Sequence, residues 1–207
     1  MNKNDFRYQR TDKMIKLAFR KCVDKDGFEK VYVSDICKEA MVNRNTFYLH
    51  YSDKYDLLEA LFKDFVESFR NGKYVLSILQ HHSKNNYIPA LEWYIDNMFA
   101  NREDFLFLAK CSHERMEKTI RSDIFERMLT SVFPDYSELI KEPSVEIQMR
   151  NICGGIYAFT EYWLQNNTLF TKEEAFELYR NLLFASSEIL LSGLRKRHNK
   201  KNIGFNI

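Results

Sequence analysis

The segment from Val33 to Lys54 constrains this chain more than any other. Ser34 and Asn43 are both good helix N-caps, because a short side-chain oxygen accepts one of the backbone N–H groups that a helix start leaves unpaired. They predict helices over Asp35–Ala40 and Arg44–His50, with only Met41 and Val42 between them. Each has about two turns, too little to stand alone, so both must pack against longer neighbours. Ile36, Ala40, Val42, Phe47 and Tyr51 are the apolar residues placed to do so. A tight link between two short packed helices is a helix-turn-helix arrangement.

The flanks supply the neighbours. A first helix is expected from about Tyr8 to Asp26, where Met14, Ile15, Ala18, Phe19, Cys22 and Val23 recur at helical spacing. Gly27 offers a left-handed stop, and Phe28 and Val31 plug the connection that follows. Asp53, with Asp56 three residues on, opens a fourth helix whose apolar face is Leu57, Leu58, Leu61, Phe62, Phe65 and Phe69. That helix is long enough to be shared between a small head and whatever follows.

The rest also reads as helical. Six glycines and three prolines in 207 residues leave little material for the turns of a sandwich or barrel. Expected helices are a weak one over Val75–His81, then Ile88–Ala100, Asn101–Cys111 and a segment from Ser112 or His113 to about Val132. Two strong ones, Ser144–Asn166 and Lys172–Arg195, follow a loop over Pro134–Pro143. The last opens with the complete capping box Thr171-Lys-Glu-Glu174. The expected fold class is all-α.

Charge divides unevenly along the chain. Residues 1–54 carry 12 Lys and Arg against 8 Asp and Glu, whereas residues 55–194 carry 14 against 21. A basic head on an acidic body is expected where only the head meets phosphates. The final stretch adds Arg195, Lys196, Arg197, Lys200 and Lys201 with no acidic residue, and reads as a solvated, flexible tail. Cys22, Cys37, Cys111 and Cys153 form no C-x-x-C pair and read as small buried hydrophobes in a reduced, cytoplasmic setting. No apolar run resembles a signal peptide or a membrane span.

A recognition helix must fit a major groove about 12 Å wide, with apolar residues behind and polar ones in front. Asn43-Arg-Asn-Thr-Phe-Tyr-Leu-His-Tyr51 matches: Phe47 and Tyr51 anchor, and Arg44, Asn45, Thr46 and Tyr48 are left facing outward. Arg suits guanine, Asn suits adenine, and the Thr methyl suits the thymine methyl.

These residues carry a resemblance. Gly27-Phe-Glu-Lys-Val-Tyr-Val-Ser-Asp-Ile36, Ala40-Met-Val-Asn-Arg-Asn-Thr-Phe-Tyr48 and His50-Tyr-Ser-Asp-Lys-Tyr-Asp-Leu-Leu58 resemble the tetracycline-repressor (TetR/AcrR) family over roughly residues 8–62. The resemblance implies a homodimer whose small three-helix heads read a palindromic operator in double-stranded DNA. It also implies a larger C-terminal helical domain that dimerises through a four-helix bundle and commonly binds a small-molecule effector. By position, Asn45, Thr46 and Tyr48 correspond to groove and backbone contacts, and His50 and Lys54 to phosphate contacts. Val33 and Ser34 correspond to a helix start whose amides and hydroxyls meet a phosphate. Many members have Gly or Ala where this chain has Asn45, so base preference does not transfer.

The implied organisation is a DNA-binding domain over 1–54, a regulatory and dimerisation domain over 55–196 and the basic tail over 197–207. Candidate interface residues on the last two helices are Gly154, Gly155, Ala158, Tyr179, Leu182, Leu183, Ser186, Ile189 and Leu190. Small residues there let backbones approach closely. Candidate effector-pocket residues are Trp93, Tyr94, Met98, Phe105, Cys111, His113, Phe125, Met128, Tyr157 and Tyr162, although aromatics at helical spacing equally make plain core. Cys111 and His113 are two apart and share no helix face, so no metal site and no cofactor are expected. No phosphate loop, G-x-S-x-G or H-E-x-x-H motif recommends an enzyme. Two alternatives stay open: a C-terminal domain answering to a protein partner instead of a small ligand, and, more remotely, an all-helical enzyme.

Overall fold

The structure of the chain, a computed structural model, describes residues 5–70, 87–126 and 141–182. All regular structure among the described residues is helical. The chain divides into two compact units, Met1–Glu67 with Glu103–Met116, and Ser68–Arg102 with Glu117–Ile207.

The first unit opens with α1, Phe6–Asp26, capped by Asp5, whose carboxylate accepts the Arg7 N–H at 2.8 Å. Its stripe is as expected for Ile15, Ala18, Phe19, Cys22 and Val23, all buried, but Met14 lies exposed beside it. Gly27, at φ 80°, takes a backbone open to a residue without Cβ and ends the helix. A 3-10 turn over Phe28–Lys30 then buries Phe28, whose ring meets Phe19 edge-on, and leads to buried Val31.

Helix α2 spans Val33–Glu39 and α3 spans Arg44–Tyr48. The start of α2 corrects the expected cap: Tyr32, not Ser34, is the N-cap, and Ser34 sits within the first turn. The cause is Asp35, whose carboxylate reaches back to the Tyr32 N–H at 3.0 Å and draws the helix start two residues earlier. At the other end, the Val42 N–H bonds the Cys37 carbonyl and the Met41 N–H that of Lys38, a Schellman closure with Met41 in the left-handed region at φ 53°.

Asn43 caps α3 as expected, its side chain accepting the Thr46 N–H at 2.7 Å. Helix α4, Lys54–Arg70, starts on Asp53, which accepts from the Tyr55 and Asp56 N–H groups at 2.8 Å. Asp56 in turn accepts from the Ser52 N–H at 2.9 Å.

The first unit is completed from beyond residue 100. Helix α6, Arg102–Cys111, follows α5, Tyr87–Ala100, and residues 103–116 belong with the head. Phe107 meets Phe19 edge-on at 5.9 Å and Phe105 meets Phe65 at 6.4 Å. Arg20 lies over the Phe107 ring and pairs with Asp104 at 2.5 Å, and Arg115 covers Phe62 while pairing with Glu59 at 3.1 Å. This division departs from the expected boundary at residue 54, because the apolar faces of α1 and α4 are covered by a segment distant in sequence.

Helix α7, His113–Lys118, begins in the first unit and passes the boundary after Met116 into a π-helical stretch over Thr119–Glu126, rather than forming one regular helix. Helix α8 spans Pro143–Gln165 with proline in its first turn, and α9 opens at 172 and is described to 182. The capping box of α9 is reciprocal: Thr171 N–H to Glu174 at 2.8 Å and Glu174 N–H to the Thr171 hydroxyl at 3.2 Å. Tyr94, Ile95, Met98, Ile156, Trp163 and Tyr179 form the core of the second unit. Inside that core the Thr160 hydroxyl donates to the Ile156 carbonyl at 2.7 Å and accepts from the hydroxyls of Tyr94, at 3.0 Å, and Tyr179.

The expected helix over Val75–His81, the loop after Pro134 and the basic tail lie outside the described residues.

Candidate nucleic-acid interface

Helix α3 sorts its five residues by environment. Phe47 is completely buried and meets Tyr51 and Tyr48 through ring contacts. Arg44 and Asn45 are exposed, Thr46 is half-buried, and Tyr48 is 54% exposed with its ring edge-on to Phe47. A single apolar plug on one side and Arg, Asn and Tyr on the other is the surface a groove-reading helix needs. Val33 and Ser34 are half-buried at the start of α2, among the first N–H groups that a helix cannot pair internally.

Two expected phosphate contacts are more engaged than their sequence positions imply. The Lys54 ammonium donates to the carbonyls of Phe28 at 3.0 Å and Glu29 at 3.1 Å, and sits over the rings of Phe28 and Tyr55. It straps the start of α4 to the loop after α1, and those two bonds use two of its three donors.

His50 needs a fuller correction, because its imidazole is only 1% exposed. The ring stacks on Tyr8 at 3.9 Å, and Nδ1 lies 3.7 Å from Asp12. Burial holds its pKa below the ordinary value, against the pull of the Asp12 carboxylate. The side chain thus supports the exit of α3 instead of reaching outward.

Sequence reading missed the group that His50 faces. Asp12, in α1, accepts the Tyr51 hydroxyl and, at 2.8 Å, the Lys16 ammonium, which also bonds Asp64 of α4 at 2.8 Å. Burial alone would raise Asp12, but the bonds from Lys16 and Tyr51 outweigh it and hold the carboxyl below its ordinary value. Burial alone would lower Lys16, but its bonds to Asp12 and Asp64 outweigh it and raise the ammonium above its ordinary value. Burial, followed by the hydrogen bond to Asp12, pushes the Tyr51 phenol up. An acidic residue four before a lysine in a helix was the available signal, but that spacing is ordinary surface pairing.

The other expected groups do not gather into one site. Tyr94 and Met98 are buried core of the second unit, Tyr157 is buried on α8, Trp93 is half-buried against Phe69, and Tyr162 is 52% exposed. Phe105 and Cys111 belong to the first unit, where burial pushes the Cys111 thiol up to about 12, and His113 is exposed. Tyr179 is corrected from interface to core: it is fully buried within the chain itself, against Tyr94, Phe159 and Trp163. Gly155 faces Leu182 of the same chain, whereas a Cβ on Gly154 would meet nothing within 4 Å, and Ala158 is exposed. The Phe125 side chain and Met128, Leu183, Ser186, Ile189 and Leu190 lie outside the described residues. Among the described residues no group of three or more His, Cys, Asp or Glu is placed to hold a metal ion, and no helix is long and apolar enough to cross a membrane.

Residues 18–61 match the family model described as bacterial regulatory proteins, tetR family. Three solved structures are similar. The fatty acid degradation regulator FadR from Bacillus halodurans is 16% identical, with a TM-score of 0.56 over 83% of this chain and 92% of that one. The dihydroxyacetone kinase operon activator DhaS is 19% identical, with a TM-score of 0.47 over 86% and 94%. A TetR-like transcriptional regulator from Rhodococcus sp. RHA1 is 14% identical, with a TM-score of 0.48 over 84% and 93%. No curated protein sequence matches. The matched segment runs from α1 through the helix-turn-helix into α4, and FadR shares the fold over most of both chains. Residues 18–61 thus form a DNA-binding head of the kind found in bacterial regulatory proteins of the tetR family, and the chain shares its fold with FadR.

Proposed function

We propose that the protein is a cytoplasmic homodimeric repressor whose two heads each place α3 in a major groove of a palindromic operator, and which a small-molecule effector releases. The observation that carries the reading is the split on α3, with Phe47 buried and Arg44, Asn45 and Tyr48 exposed. Arg44, Asn45, Thr46 and Tyr48 are assigned to base edges and nearby backbone. Val33, Ser34 and the remaining donor of Lys54 are assigned to phosphates.

Pairing of subunits is supported by α8. Ile147, Gly154, Ala158 and Tyr162 follow one another at helical spacing on a single stripe, with Ile147 60% and Tyr162 52% exposed in one subunit. An uncovered apolar stripe of this kind suits an isologous two-fold contact, in which the same patch serves both copies. Two heads then meet half-sites about one helical turn, or a multiple of it, apart.

Effector control requires a ligand with different affinities for two head arrangements. The segment 103–116 is packed in the head and joined at both ends to the second unit by the chain itself, and α4 crosses the boundary after Glu67, so these are the covalent routes for such coupling.

The test is selection of bound duplexes from a random DNA pool, followed by titration of Tyr48→Ala on the selected duplex. A two-fold symmetric selected site and a loss of roughly tenfold or more in affinity are expected, with melting unchanged. Retained affinity in Tyr48→Ala at physiological salt would sink the assignment.

A further inference from the structure

We propose that Asp12 is a positioning residue for DNA reading: from α1 it fixes the rotation of α3 by holding the two residues at its exit, His50 and Tyr51. This rests on the reading of α3 given above.

Helix α3 has five residues, and little within it determines how it is turned. The Asn43 cap bonds Thr46 of the same helix, so it shapes the helix without orienting it. Phe47 anchors one point, about which a short helix can still swivel. Beyond Tyr48 the chain stays rigidly coupled, since the His50 N–H bonds the Phe47 carbonyl at 2.9 Å and the Tyr51 N–H bonds it at 3.0 Å. Any sideways restraint on residues 50 and 51 therefore restrains α3 itself.

One carboxylate supplies that restraint. Asp12 Oδ1 accepts the Tyr51 hydroxyl and lies 3.7 Å from His50 Nδ1, while the His50 ring stacks on Tyr8 one turn earlier in α1. Its other oxygen accepts from Lys16, which is itself held by Asp64 of α4. Tyr51 is 6% exposed, so its hydroxyl bond is sheltered from water. Three elements thus meet at Asp12, and the exit of α3 is pinned at a second point beside Phe47.

The sign of its charge separates this role from a direct one. A carboxylate in a basic head repels phosphates, so electrostatics alone predicts that removing it strengthens DNA binding. Positioning predicts the reverse for the selected duplex only.

The test measures, for the full-length protein, affinity for the selected duplex and for a shuffled duplex of the same composition, well below every variant's melting midpoint. Asp12→Ala is expected to lower the ratio of the two affinities by roughly tenfold, about the loss of one base-edge contact. Affinity for the shuffled duplex should hold or rise. Tyr51→Phe, which removes one oxygen, should lower the ratio in the same direction, and the double variant should lose less than the two single effects combined. Asp12→Asn, which keeps an acceptor for Tyr51, should recover most of the ratio. An unchanged ratio in Asp12→Ala, or a parallel loss on both duplexes, overturns the assignment. If Tyr48→Ala also leaves the ratio unchanged, the reading of α3 falls with it; if Tyr48→Ala alone lowers it, only the role of Asp12 is lost.

Discussion

Met41 sits at the turn between α2 and α3 with φ 53° and is 89% exposed. An L side chain in the left-handed region costs roughly 1–2 kcal/mol, part of which glycine returns as greater freedom in the unfolded chain. Because almost no packing is lost, Met41→Gly is expected to stabilise the head by roughly 1 kcal/mol, read as a higher denaturation midpoint. An unchanged or lower midpoint would contradict this. His50 provides the pH dependence at the same scale. Its folded pKa lies below its ordinary value of 6.5, so the unfolded chain takes up the proton more readily. The associated stability is present above that value and is lost as pH falls through the folded pKa. Asp12, depressed, loses its contribution only below its ordinary 3.8, and Lys16, raised, keeps its own up to 10.5. Melting should therefore drop between about pH 7 and pH 5, with His50→Phe blunting the drop.

At the scale of elements, the caps decide where helices start. Asn43, Asp53 and Thr171 were legible as caps because a cap is a contact within a few residues. Ser34 was misplaced because Asp35 competes for the same turn by reaching back to Tyr32. For α3 the cap matters most, since five residues contain few other bonds. Asn43→Ala should cost about 1 kcal/mol in thermal or chemical unfolding. Phe47→Ala should cost about 3–5 kcal/mol, because it empties the completely buried site on which the helix rests. If the two substitutions cost the same, the cap is carrying more of the helix than its single bond predicts.

At the scale of the whole molecule, the head borrows residues 103–116 to cover α1 and α4. Phe105→Ala should therefore lower the stability of the head by about 3–5 kcal/mol, although the residue lies far along the chain from the helix-turn-helix. Hydrogen exchange in α1 and α4 is the measurement, and protection unaltered there would contradict it. The exposed stripe on α8 gives a second expectation. Tyr162→Glu should shift the protein toward monomer in sedimentation and weaken binding to a symmetric duplex, while leaving the buried Tyr94, Thr160 and Tyr179 cluster undisturbed. A dimer that survives Tyr162→Glu would place the interface elsewhere.

Helix type, most helix starts and the outward-facing residues of α3 followed from local rules: apolar spacing, capping side chains and a left-handed glycine. These act over one or two turns, and the sequence by itself determined them. Tertiary structure decided which side chains were already occupied. Lys54 is drawn to the carbonyls of Phe28 and Glu29, His50 turns in against Tyr8 and Asp12, and Tyr179 joins the core instead of an outer face. Each of these depends on a partner brought near by folding, whose identity no local spacing records. The helix-turn-helix was legible because its pattern is local; the carboxylate that pins it was not, because Asp12 acquires its meaning only when α1, the exit of α3 and α4 meet.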